Sequence, residues 1–362
     1  MDKDTTGTLD EALERVHSTG PEFRGWLSNH APMAVEALVR NGFAGRVHPW
    51  LDVYVRRLEE LPRATTRIEP DQWREALGNP QLLGEWLEFF GVEMSERPWR
   101  DVLATWWPRL VPGIAAGATH GVIRTGHAVR VLLDEDEDGG DDGRTGPRTA
   151  ELGQALGYWA ARWQPVPGVV EPSGRQGPLE ALGNVPAVPD QERGIDYRLG
   201  QLGRVDRWPG AVSALRPAHT PEQARVRLAE VAYAATVRLL THGHGDAVMQ
   251  VHSATAPTAV LRTLPALPER LWVPSLNAAW AAGAAVTAAY EPAEAAPARE
   301  AERLVAEAVD VGEVLERAAE HGDEHAIKLA DTAAEVFGRT GDPTALAAAV
   351  RGLGLIPPAA TG

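Results

Sequence analysis

Apolar positions along the chain recur mostly at helical spacing, and the ends of the segments carry helix start and stop residues. Thr8 with Glu11 makes a capping box, predicting a helix to about Ser18. Asn29 can cap the next, with Pro32 in its first turn, where no amide donor is needed, and Asn41-Gly42 closing it. His48-Pro49 starts a segment carrying Trp50, Val53, Val55 and Leu58 to Pro62, and shorter helices are expected over Asp71–Leu77 and Gln81–Val92. A longer helical region runs from Trp99 to Leu133, broken near Pro108 and Pro112, because proline removes a ladder bond. Within it Gly113, Gly117 and Gly121 recur every four residues, which on one helix would line one side and admit a second backbone. Helices resume over Pro221–Thr241, Asp246–Ala254, Thr258–Leu264 and Leu276–Tyr290. Several amphipathic ones follow from Pro297 to Gly352, separated at Gly312, Gly322 and Gly341. The expected class is all-α, with residues 1–362 as a single large helical domain.

Two stretches interrupt that pattern. Residues 134–148 form an acidic loop in which Asp134, Asp136, Asp138 and Gly139 match the first half of an EF-hand, but position twelve is Thr145 where a bidentate glutamate is required. A solvated charge run is the better reading. Residues 164–220 carry eight prolines and many glycines. Their length fits a belt or lid wrapping the core rather than a simple connection.

With no cysteine in the chain, thiolate metal sites, disulfides and cysteine nucleophiles are excluded, and any chemistry must use nitrogen and oxygen. The net charge of -15 disfavours nucleic acid, whose phosphates call for a basic surface. Leu271–Tyr290 has no formal charge, yet it contains Pro274, Ser275, Asn277, Gly283 and Thr287 and most of the rest is alanine, so a buried helix over Leu276–Tyr290 is expected rather than a membrane span. The first residues show no basic segment followed by an apolar one, which makes the cytoplasm the expected location.

Eleven histidines remain as candidate metal ligands. His17 is expected as a helix-terminal surface group, and His48 and His219, each beside a proline, as capping or solvent-facing groups. His30 stands in the first turn of an apolar helix, where it can be a satisfied core residue or point past the helix end into a cavity. His120 and His127 share a helix face but are separated by a rise of roughly 10 Å, too far to bind one ion together readily. His120 lies on the glycine-rich side. His242 and His244 flank Gly243 in an expected turn, whereas His252 sits in an apolar helical segment and is expected to be buried. Between His321 and His325, Gly322-Asp323 reads as a helix stop and a new N-cap, so the pair is no HExxH site. His325 and Lys328 share a face of the new helix. The chain has 33 arginines and two lysines, Lys3 and Lys328. A lone lysine between Ile327 and Leu329 is either a snorkelling stem or a buried functional amine.

Taken in order, NHAPMAVEAL, PGIAAGATHGVIRTGHA, VHSATAPTAV and DEHAIKL resemble the questin oxidase-like proteins, a likeness spread from residue 29 to residue 329. The resemblance implies an all-helical oxidoreductase that oxidises polycyclic aromatic polyketides, including anthraquinone ring opening of the Baeyer–Villiger or dioxygenase type, without a flavin. It further implies one non-haem Fe(II) held by four histidines and a lysine carboxylated on its side-chain nitrogen. On this chain those positions are His30, His120, His252, His325 and Lys328. His127 stands where related chains more often have an aromatic residue. The implied partners are an aromatic small molecule and dioxygen, with no nucleic acid or membrane. Trp106 and Trp107 are candidate cavity-lining residues, and electrons would come from the substrate or from NADPH, for which no nicotinamide motif is present.

The physical chemistry agrees with that ligand set. Four neutral imidazoles leave two positive charges unbalanced in a helical interior, and a lysine carbamate supplies one negative charge and oxygen donors. Two rivals remain: a metal-free helical binding protein with core histidines, and a hydrolase using a carbamylated lysine.

Overall fold

A computed structural model describes residues 3–137, 146–307 and 310–359, and these fold as an all-α protein whose only sheet, among them, is one two-stranded hairpin. They divide into two compact units, the residues up to Pro165 with Arg262–Leu271, and Val166–Leu261 with the residues from Trp272 onward.

The first unit contains α1 (Lys3–His17), α2 (Ala31–Arg40), α3 (Ala44–Tyr54), α4 (Trp73–Ala76), α5 (Leu83–Glu96), α6 (Trp99–Leu110), α7 (His120–Glu137) and α8 (Pro147–Ala161). Strands β1 (Glu22–Phe23) and β2 (Leu27–Ser28) pair antiparallel with Phe23 opposite Leu27, joined through Arg24 and Gly25 at positive φ. Helix α8 packs against both α5 and α7, and α2 packs against α1, α3 and α7. Trp86, Trp106 and Phe90 form an aromatic cluster, and Trp107 meets Trp159 edge-on at 5.4 Å. All five rings are buried, and burial of each stabilises the unit by roughly 1.5–3 kcal/mol. Trp106 and Trp107 are thus core residues of this unit.

The second unit contains α9 (Pro178–Gly183), α10 (Ile195–Gly200), α11 (Trp208–Ser213), α12 (Pro221–His242), α13 (Ala247–Thr263, whose last two residues belong to the first unit), α14 (Trp272–Tyr290), α15 (Ala298–Glu307), α16 (Val311–His321), α17 (Glu324–Thr340) and α18 (Thr344–Leu355). Helix α18 packs on α12 and α17 around Leu239, Leu329, Ala333 and Leu346. The Pro-rich segment lies on the same core: α9 packs on α12, and α10 and α11 on α14. It is tied there by Val188 N–H to Ala288 O at 2.8 Å and by Trp280 Nε1–H to Val212 O at 2.8 Å, and it buries Leu202, Trp208 and Leu215. It therefore supplies part of this unit's interior. No helix among the described residues is long and apolar enough to cross a membrane.

Several boundaries differ from expectation for local reasons. Helix α7 continues through Asp134 and Asp136, which pair with Arg40 and Arg100, so the acidic stretch starts as helix; residues 138–145, with Asp138, Gly139 and Thr145, lie outside the described residues. His48 and Pro49 sit inside α3 rather than at its start, and Pro108 inside α6. The two segments expected from Asp246 to Leu264 are one helix, α13, with Pro257 inside it. The break expected at Gly312 comes before it, since Asp310 caps α16 through the Glu313 N–H.

The glycine series is the largest correction. Gly113 lies in a 3₁₀ turn, Gly117 in a left-handed turn and Gly121 in the first turn of α7, so they do not share a helix. What approaches them is aromatic side chains: a Cβ would stand 2.2 Å from Trp163 Cδ1 at Gly113, 2.2 Å from Tyr158 Oη at Gly117 and 2.6 Å from Trp159 Cγ at Gly121.

Candidate metal centre

Within the first unit the structure brings together two of the five predicted ligands. His30 is the N-cap of α2, with α-region backbone (φ −94°, ψ −8°), and Pro32 in the first turn starts the helix without a wasted donor. His120 is the first residue of α7. Both are buried, and their Nε2 atoms lie 2.7 Å apart, the ring planes near perpendicular at 89°. Each Nδ1 has its own partner. That of His120 donates to Gly117 O at 2.5 Å, and that of His30 lies 3.4 Å from Tyr54 Oη, which also accepts the His30 backbone N–H at 2.7 Å.

The Gly117 contact depends on an unusual backbone. Gly117, Ala118 and Thr119 have φ of 52°, 58° and 69°, a left-handed turn that returns the Gly117 carbonyl to both the ring and the backbone N–H of His120. For an alanine and a β-branched threonine that conformation costs about 1–2 kcal/mol each. The strain falls immediately before a candidate ligand, where such outliers concentrate. Thr119 Oγ1 is buried with no hydrogen-bond partner among the described residues.

Further along α2 and α7 a second buried contact fixes the helix pair. Glu36 accepts from His127 Nδ1 at 2.6 Å and from Arg130 Nε at 3.0 Å, while Arg262 faces His127 Nε2 at 3.3 Å. Burial first, then the two guanidinium groups, hold His127 below the usual imidazole range against the pull of Glu36. His127 is thus a neutral link between carboxylate and guanidinium. His17, expected on the surface, instead reaches Glu151 at 2.8 Å beside the buried Arg124–Glu151 pair. Burial pushes Glu151 up, but Arg124 and His17 outweigh it and leave the carboxyl below its ordinary value.

Within the second unit His252 on α13 and His325 on α17 are both buried, with ring centroids 5.5 Å apart and ring nitrogens within 4.8 Å. The turn between α16 and α17 follows its sequence: Gly322 closes α16 at φ 75°, and Asp323 caps α17 by accepting from the backbone N–H groups of His325 and Ala326. The same carboxylate oxygen lies 3.3 Å from His325 Nδ1, an arrangement that directs Nε2 outward, as carboxylate partners do for metal-bound histidines. Burial pushes Asp323 up, and the bonds from His325 and Ala326 bring it below the usual carboxylate range.

Lys328 follows one turn after His325 on α17. It is fully buried, and its Nζ has no hydrogen-bond partner among the described residues. Burial lowers its pKa to about 7, against the opposing pull of Glu324 and Asp323, so a large part of the amine is neutral near neutral pH. His242, at the end of α12, is lowered to about 4 by burial and Arg238, and His244 is exposed.

Sequence reasoning missed Tyr54, Glu36 and the Gly117 carbonyl, each of which acts on a histidine from another element or from a backbone atom. Imidazoles with Nδ1 braced and Nε2 presented, as at His120 and His325, fit a first-row transition metal, and the partnerless Lys328 amine fits a group meant to be altered or bound. The chain matches no protein-family model and no curated protein.

Proposed function

We propose that the chain is a non-haem iron-dependent oxygenase in which His30, His120, His252, His325 and a carboxylated Lys328 hold a single ferrous ion. The observation that carries this reading is Lys328, a fully buried amine without a hydrogen-bond partner among the described residues, one turn from a histidine braced by a carboxylate. A neutral buried amine adds to carbon dioxide: the nitrogen lone pair forms the N–C bond, one N–H proton leaves to solvent, and a carbamate anion results. That anion offsets one of the two charges a ferrous ion brings into an apolar interior. Such an ion, once bound, would supply activation of dioxygen.

The chain's own residues prepare the ligands. The Gly117 carbonyl keeps the His120 proton on Nδ1, Asp323 does the same for His325, and both Nε2 atoms stay available as donors. The 2.7 Å between the His30 and His120 nitrogens is close to the roughly 3 Å expected of neighbouring ligands with metal–nitrogen bonds of about 2.1 Å. The substrate class, a polycyclic aromatic polyketide of the anthraquinone type, rests on the four ordered motifs from residue 29 to residue 329 that resemble the questin oxidase-like proteins.

Anaerobic reconstitution of purified chain with ferrous iron tests the reading. Iron near one equivalent, a nitric oxide adduct reporting an open position, and oxygen consumption with hydroxylated anthraquinones are expected. Absence of any bound transition metal sinks it, and leaves a helical binding protein with core histidines.

A further inference from the structure

The two histidines of the first unit are braced by partners of different character. A carbonyl only accepts, so neutral His120, held by Gly117 O at 2.5 Å, keeps its proton on Nδ1 and has a bare Nε2. The 2.7 Å separation from His30 Nε2 then requires His30 to supply the intervening proton while no metal is present. His30 is accordingly protonated on Nε2 and bare on Nδ1, the atom that faces the Tyr54 hydroxyl. A hydroxyl, unlike a carbonyl, both donates and accepts.

We infer that Tyr54 is the positioning residue that lets His30 exchange its Nε2 proton for a metal ion, donating to Nδ1 in the metal-free chain and accepting from Nδ1–H in the loaded one. The exchange conserves protons: one leaves Nε2, one arrives at Nδ1, and the ring stays neutral. Tyr54 can serve both states because its hydroxyl is placed by packing that does not involve the imidazole. It is the last residue of α3 and is buried, its ring stacked on Trp50 at 4.5 Å and covered by the Arg57 guanidinium at 3.7 Å. The hydroxyl also accepts the His30 backbone N–H at 2.7 Å, which holds the N-cap of α2 against the end of α3. Had the partner of His30 been a second carbonyl, both rings would be bare at Nε2 and their 2.7 Å approach would be repulsive without an ion. The loaded half of the inference rests on the metal reading above; the metal-free half does not.

Long-range proton–nitrogen correlation spectra of the full chain with nitrogen-15 histidine test both halves, with His30 assigned through His30→Ala. In metal-free wild type the expected His30 tautomer is Nε2–H, and titration with diamagnetic zinc should convert it to Nδ1–H. Tyr54→Phe keeps the ring between Trp50 and Arg57 and removes only the hydroxyl. It should weaken zinc binding about 10–100-fold in a chelator competition, in the range of other lost partners of ligand histidines. Trp50→Leu, which loosens the stack and keeps the hydroxyl, should weaken it much less. A metal-free His30 carrying its proton on Nδ1 overturns the inference whatever the metal does, and so does a Tyr54→Phe chain that binds zinc as tightly as wild type. If metal-free His30 is Nε2–H but wild type binds neither zinc nor iron, the metal centre fails and the exchange with it. The wild-type titration separates that result from a failure of Tyr54 alone.

Discussion

His30 and His120, ninety residues apart in sequence, present their Nε2 atoms to each other at 2.7 Å inside the first unit. Two buried nitrogens at that distance need either a shared proton or a shared ion. If an ion is the resident state, metal at one hundred times its dissociation constant should stabilise the chain by about 2.7 kcal/mol. Wild type should therefore melt higher with ferrous iron than after chelation, and His30→Ala and His120→Ala should show little or none of that increase. Calorimetry of the three chains with and without metal checks this, and an equal rise in all three counts against these two ligands.

The Glu36 contact makes a separate prediction about stability. Glu36 takes bonds from His127 and from Arg130, all three side chains being buried. Glu36→Gln removes the buried carboxylate charge that Arg130 and His127 face and should cost about 3–5 kcal/mol. His127→Phe removes one donor while Arg130 still satisfies Glu36, and should cost about 1–3 kcal/mol. Urea unfolding measures both. Because His127 bonds Glu36 and is no member of the proposed ligand set, His127→Phe should retain full metal content by elemental analysis; loss of metal would make His127 a ligand.

Parts of this arrangement were legible in sequence because their cause is local. Helix α12 starts at Pro221, where the helical pattern resumes, and Gly322-Asp323 stops one helix and caps the next, as those residue types predict. The uncharged run ending at Tyr290 is a buried helix for the reason its alanines and polar residues implied. Where tertiary packing decides, the pattern misled. The segments expected on either side of Pro257 are one continuous helix, α13, and His17, expected on the surface, meets a partner, Glu151, that lies 134 positions away. Tyr54 could not be picked out at all. A tyrosine at a helix end is an ordinary core residue until a fold brings His30 to its hydroxyl.

Gly121 admits the Trp159 side chain where its spacing in the sequence implies a second backbone. A Cβ there would stand 2.6 Å from Trp159 Cγ and 2.8 Å from Trp159 Cβ, too close for either to remain in place. Gly121→Ala should cost about 1–3 kcal/mol by overpacking. Since residue 121 follows His120, the shift should also reduce metal content. A variant with unchanged unfolding midpoint and unchanged metal would show that the first turn of α7 yields freely.

Lys328 gives the pH prediction. Its pKa is near 7 in the fold and 10.5 as its ordinary value, so between these pH values the unfolded chain binds a proton that the folded chain does not. Stability contributed by this group therefore rises with pH from about 7 to about 10.5. Below pH 7 both states carry the charge and the burial penalty is felt in full, on the order of 4–5 kcal/mol. In metal-free, carbon dioxide-free buffer, Lys328→Met should be more stable than wild type at pH 6 and lose that advantage toward pH 10, as read by urea unfolding at each pH. With bicarbonate and ferrous iron the order should reverse, because only the lysine can be carboxylated and bind. Lys328→Arg should fail to hold iron as well, since guanidinium stays charged and takes up no carbon dioxide. If Lys328→Arg binds a full equivalent of iron, the lysine is a structural stem and the carbamate has to be abandoned.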